Sequence, residues 1–138
     1  DGSNPFNFVR LVQPVLDRNC VTCHQERKAL DLRAVIEGKN GWTRSYNNLA
    51  GRYGFYFHVS NGSINDPVHG GSRTTSGRFG AQASPLLRYL DERHHGTHLT
   101  VEDRQRMILW LDCNSEFFGA YENTTAQARG EIVLPSLE

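Results

Sequence analysis

Two of the chain's three cysteines stand three residues apart in the run Asn19-Cys20-Val21-Thr22-Cys23-His24, and a histidine follows the second directly. A C-x-x-C pair has three ordinary chemistries: half of a zinc site, a dithiol redox pair, or a covalent haem attachment point. Zinc needs four tetrahedral ligands. Cys20, Cys23, His24 and one later histidine can be assembled on paper. Consecutive ligands at 23 and 24 would then have to turn sharply onto one ion, and no second C-x-x-C or H-x3-H cluster follows. A thioredoxin-like dithiol follows a strand and opens a helix in a β-α-β context. Here the pair stands at the end of a helical pattern. The C-x-x-C-H form reads best as haem attachment. Two thiols three residues apart on a helical turn can reach the two vinyl groups on one side of a porphyrin. The next residue then points at the iron, so His24 supplies the proximal imidazole. A chain built on that feature is expected to be a small, mainly α-helical domain around one covalently held haem.

The rest of the composition fits a modest globular chain. With 138 residues and 38% hydrophobic content, one compact domain over 1–138 is expected, since a chain of about 150 residues buries roughly 70% of its unfolded surface. Fifteen basic residues balance fifteen acidic ones. That argues against a nucleic-acid binder that works by neutralising phosphates. No run of about 18 apolar residues exists, so no membrane span is expected. No signal peptide is visible, and the start at Asp1 reads as a processed mature protein or an excised domain. Three cysteines are too few for a disulfide scaffold. Cys113 is expected to be free and buried, as cysteine often is.

Periodicity places the elements. A first helix is expected from about Pro5 to Asn19, capped by Asn4, with Phe8, Leu11, Val12, Val15 and Leu16 on one face. Pro14 interrupts it and predicts a bend. Residues 37–83 carry nine glycines and no convincing helical period. Phe55, Phe57 and Val59 alternate with Tyr56, His58 and Ser60, a short-strand signal, so this long glycine-rich region is expected to accommodate a short β-hairpin and to wrap the haem edge. A second helix is expected from Ser84-Pro85 to Gly96, carrying Leu86, Leu87 and Leu90. A third opens at Thr100 in a capping-box pattern with Asp103 and ends near Asn114, with Val101, Met107, Ile108 and Leu111 on one face and Trp110 beside it. The core is expected over about 5–121. The C-terminal tail, 122–138, is expected to fray or to dock as a short strand at Ile132 to Leu134.

A second axial ligand is open to His58, His69, His94, His95, His98 and Met107. Met107 lies on the apolar face of the third helix, where packing is the better reading. The cluster Arg93-His94-His95-Gly96-Thr97-His98 lies between two helices, well placed to present an imidazole. Phe55, Phe57, Trp110 and Phe117 serve equally as haem-pocket walls or as plain core.

Four blocks carry a family resemblance: Pro14 to His24, Ser84 to Leu90, His94 to Asp103, and Trp110 to Asn114 followed by Gly119 and Tyr121. Together with Thr43-Arg44-Ser45-Tyr46, they make residues 6–121 resemble the monohaem cytochrome c domains common in planctomycete proteins. The likeness is especially to the C-terminal cytochrome domain of the hydrazine synthase alpha subunit and its relatives. The resemblance implies a cytochrome c-like fold and one haem c with two histidine ligands. It places the distal ligand at His94 first and His95 second. The chain departs from the family pattern at His95, Thr97 and His98. No residues match the catalytic haem or the zinc of hydrazine synthase, so hydrazine synthesis is not implied.

The expected function is electron transfer, at a lower potential than His/Met ligation gives. The expected partners are other redox proteins or an attached enzyme domain, in the periplasm or otherwise outside the cytoplasm. The enzyme alternative is a five-coordinate haem that binds a small ligand such as a peroxide or a nitrogen oxide. A third reading is a haem-stabilised module that docks a larger enzyme.

Overall fold

Asn7 opens the first helix. Its side chain accepts a hydrogen bond from the Arg10 amide at 3.1 Å, which satisfies one of the orphan donors of a helix N-terminus. The structure, a computed structural model, describes residues 4–56, 59–60, 63–64 and 76–136. Helix α1 (Phe8–Leu11) starts three residues beyond the expected Pro5. The Phe8 amide donates to the Phe117 carbonyl at 3.1 Å, and Asn7 itself is extended. Pro14 does more than bend the helix. It falls in the first turn of a separate helix, α2 (Gln13–Asn19), where a missing amide costs nothing. A third helix, α3 (Val21–Glu26), begins after Cys20, whose dihedrals leave the helical range.

The chain divides into two compact units, Asp1–Leu49 with Glu116–Glu138, and Ala50–Ser115. In the first, α1 and α2 bury Phe8, Val12, Val15 and Leu16, while Leu11 is only half-buried. Phe8 meets Tyr46 edge-on at 5.2 Å and stacks on Phe117 at 5.7 Å. Trp42 closes the cluster against Tyr46 at 5.1 Å. Rings in such pairs gain energy beyond their buried area. Beside this apolar cluster lies a buried polar one. Gln13 donates to Asp17 and to the Leu32 carbonyl, at 2.8 and 3.0 Å, and accepts from Ser45, which pairs with Thr43. The contacts offset the cost of burying the Gln13 amide.

Helix α4 (Arg44–Tyr53) occupies a stretch expected to lack helix. Its buried positions are Ser45, Tyr46 and Leu49, so one of the three core positions is polar. Asn47, Asn48 and Gly51 are also poor helix formers. What starts it is Thr43, whose hydroxyl accepts from the Tyr46 amide at 3.3 Å. The C-terminal tail is likewise more ordered than expected. Helix α7 (Thr124–Ala128) is capped by Asn123 and buries Ala126, Gln127 and Ala128. Gln127 bonds Gly119, Ala120 and Glu122, and its carbonyl accepts from Asn7 at 2.9 Å. Ile132 and Leu134 are exposed and form no strand.

In the second unit, β1 (Val59–Ser60) pairs antiparallel with β2 (Ser63–Ile64). Helix α5 (Gly80–Ala83) needs its glycine. Gly80 has φ +58°, and a Cβ there would strike the Asp112 carboxylate, which accepts from the Ala81 amide at 2.8 Å. The expected helix from Ser84 to Gly96 is only a 3-10 helix, Pro85–Tyr89, capped by the Ser84 hydroxyl. Turns carry the chain on to Gly96. Helix α6 (Val101–Asp112) starts where expected, with Thr100 accepting from the Asp103 amide at 3.1 Å. Its buried face is Asp103, Met107, Trp110 and Leu111. Val101, expected on the apolar face, is instead exposed, and the buried position of that first turn is Asp103. Cys113, expected to be buried, is exposed at the C-cap of α6. Among the described residues the fold is thus mainly helical, and no helix is long and apolar enough to cross a membrane.

Candidate functional site

Cys20 stands at the break between α2 and α3, and Cys23 and His24 lie on α3 itself. The Cys20 amide still bonds the Leu16 carbonyl at 2.8 Å, and the Cys20 carbonyl accepts from the His24 amide at 3.1 Å. The two thiols are half-buried and not joined to each other. Burial pushes the Cys20 thiol up to about 11, with a further rise from the neighbouring Cys23. It is therefore a protonated thiol near neutral pH.

None of the six residues of α3 is buried. Amphipathic helices of globular proteins normally bury an apolar stripe. This one leaves Val21, Cys23 and His24 half-buried and Thr22, Gln25 and Glu26 exposed.

The end of α3 is built to hold His24. Lys28 adopts a left-handed conformation, φ 51°. The Ala29 amide donates to the His24 carbonyl at 2.9 Å, and the Lys28 amide to the Gln25 carbonyl at 3.2 Å. These two bonds form a Schellman motif, with lysine where glycine is usual. The reversal brings the Leu30 carbonyl to His24 Nδ1 at 2.8 Å. A carbonyl oxygen can only accept, so Nδ1 carries the proton and the neutral ring has its lone pair on Nε2. Metal-bound histidines characteristically donate their other ring N–H in this way, which fixes ring orientation and raises basicity.

The segment that follows the acceptor is anchored. The Leu32 carbonyl takes the Gln13 bond described above, and the Asp31 carbonyl accepts from Asn48 at 2.8 Å. The Asp31 carboxylate accepts from Arg33 at 2.6 Å and from Arg44 at 3.1 Å. The Arg33 guanidinium, then Arg44, holds that carboxyl well below the usual range.

His94 and His95 lie in the second unit, in the turns after the 3-10 helix. His94 is half-buried and His95 exposed. His95 also has φ 54°, an uncommon conformation for a residue other than glycine. His98 is exposed, with Nδ1 3.5 Å from Glu92. Met107 is buried in the α6 face, with Trp110 and Leu111. His58, His69 and Phe57 lie outside the described residues. Phe55 is buried against Phe79, ring centroids 5.0 Å apart. Phe117 belongs to the aromatic cluster of the first unit.

Among the described residues, no three His, Cys, Asp or Glu side chains converge as a protein-only metal centre requires. Zinc held by Cys20, Cys23, His24 and a later histidine therefore has no assembled ligand set there. What the motif offers is two half-buried thiols and one oriented imidazole.

Sequence reasoning missed the Leu30 carbonyl and the surroundings of His94. The first is a backbone group that carries no residue signature. A left-handed turn after the motif could have been sought, but lysine does not announce one. Comparison with known proteins gave no match: no family model, no curated protein and no solved structure corresponds to the chain.

Proposed function

We propose that the chain is an electron-transfer domain carrying one covalent haem c, with Cys20 and Cys23 as thioether anchors and His24 and His94 as axial ligands. The observation that carries the reading is the His24 Nδ1–Leu30 hydrogen bond, beside a half-buried C-x-x-C pair that spans the start of α3. Each thiol would add its S–H across a vinyl C=C, forming one S–C bond without net oxidation or reduction. The neutral Cys20 thiol has the proton that such an addition consumes. Bound haem supplies one-electron chemistry. The chain's own part is to hold the imidazoles and to limit access of water.

His94 is preferred to His95 because its side chain is less exposed and its backbone lacks the left-handed strain of its neighbour. The fold that this reading implies is cytochrome c-like, and the compartment is the periplasm or another place outside the cytoplasm, where haem is attached. The partners are other redox proteins or an attached enzyme domain.

The test is a visible spectrum of protein made in a host competent for haem attachment, oxidised and reduced, with and without carbon monoxide. A low-spin spectrum that carbon monoxide leaves unchanged is expected. A high-spin spectrum that shifts on carbon monoxide would replace electron transfer with the five-coordinate, ligand-binding alternative. The absence of any haem spectrum would remove the proposal. His94→Ala should convert the haem to high spin. A His94→Ala protein that stays low spin defeats that ligand assignment.

A further inference from the structure

Tyr89 ends the 3-10 helix, and His94 follows five residues later. The turn between them brings their rings together, centroids 5.1 Å apart and planes at 85°. That is the edge-to-face arrangement that ring quadrupoles favour. The Tyr53 ring stands edge-on to Tyr89 in turn, at 5.7 Å and 85°. The Arg52 guanidinium sits over Tyr53, 5.5 Å from its centroid, within cation–π range. His94 also meets the His95 ring, centroids 4.9 Å apart.

The backbone is held as closely as the ring. The His94 amide donates to the Asp91 carbonyl at 3.0 Å, and its carbonyl accepts from the Thr97 amide at 3.0 Å and the Thr97 hydroxyl at 2.6 Å. The end of the 3-10 helix is tied to α6, because Arg104 donates to the Leu90 carbonyl at 2.7 Å. Tyr89 is 41% exposed. Such a ring contributes little to the core, and it pairs with the rings of Tyr53 and His94.

We infer that Tyr89 is the positioning residue for the distal imidazole, with Tyr53 as its buttress. The inference rests on the assignment of His94 as an iron ligand. An imidazole bound through one nitrogen can still rotate about that bond and can leave it. A ring packed against its edge restricts both motions. The tyrosine ring makes the contact, so phenylalanine suffices and an aliphatic side chain does not.

The experiment uses oxidised holoprotein and cyanide, whose binding is limited by departure of the distal histidine. Tyr89→Leu is expected to speed cyanide binding by about two- to tenfold, the factor an aromatic pair of this geometry represents. It should also change the electron paramagnetic resonance g-values of the low-spin haem. Tyr89→Phe should keep the wild-type rate and g-values. A Tyr89→Leu protein with wild-type rate and g-values overturns the inference alone. A His94→Ala protein that remains low spin removes the ligand assignment, and the inference falls with it, so the two failures are distinct. Tyr53→Leu is the second variant if Tyr89→Leu does not fold. It should speed cyanide binding less but in the same direction, and a wild-type rate there overturns the ring stack as the restraint.

Discussion

At the scale of single residues, Lys28 carries an energetic cost that the His24 site imposes. A left-handed residue other than glycine is strained by roughly 1–2 kcal/mol, and Lys28 accepts that strain at φ 51° so that the Leu30 carbonyl can return to the ring. Glycine would relieve the strain and lose some of the gain to chain entropy. Lys28→Gly should therefore raise stability in urea unfolding by about 0.5–1 kcal/mol, while Lys28→Val, β-branched, should lower it by about 1–2 kcal/mol. Equal stability of the glycine and valine variants would show that the turn does not depend on this backbone conformation. The residues most easily read from sequence were those with distinctive chemistry, Cys20, Cys23 and His24. Leu30 and Tyr89 could not be read, because one acts through a carbonyl and the other through a ring placed by an irregular turn.

Elements were legible where a cap and an apolar period agreed. For α6, Thr100 marks the start and Met107, Trp110 and Leu111 the buried face. Removing the cap with Thr100→Ala should cost about 1 kcal/mol, seen as a fall of about 3–4 °C in the thermal midpoint. An unchanged midpoint would mean that other groups satisfy the amide of Asp103. Helix α4 shows the opposite case. Its stripe of Ser45, Tyr46 and Leu49 is stabilised by the Gln13 network and the aromatic cluster, so tertiary contacts supply what local propensity lacks. The stretch from Ser84 to Gly96 fails differently. Its cap and proline are genuine start signals, but the leucines after them pack in a 3-10 turn that ends at Tyr89.

Across the whole molecule, the mainly helical class follows from composition and period. The extent of order in the tail was hidden, because α7 docks through Gln127 and small alanines instead of a visible apolar run. Charge has a bounded role. Asp31 pairs with both Arg33 and Arg44, and its folded pKa lies below the unfolded value of about 3.9. The stability it contributes is thus present above about pH 4 and lost as pH falls through the lower, folded value. Asp31→Asn should be less stable than the wild type at pH 7, and the gap in thermal midpoint should shrink by pH 2.5. A gap that stays constant over that range would show that Asp31 acts through packing and not through its charge.

The unburied surface of α3 also bears on how this sequence can drift. Thr22, Gln25 and Glu26 are exposed on the helix that carries the motif, so their identities are not dictated by the core. Selection on this segment should act on two sulfurs, one imidazole and the turn at Lys28, and leave the intervening letters nearly free. In a saturation library read out by haem content, positions 22, 25 and 26 should accept most substitutions that keep the helix, while 20, 23 and 24 accept almost none. Information in this stretch is concentrated in chemistry and not in packing, which is why a pentapeptide alone can be informative.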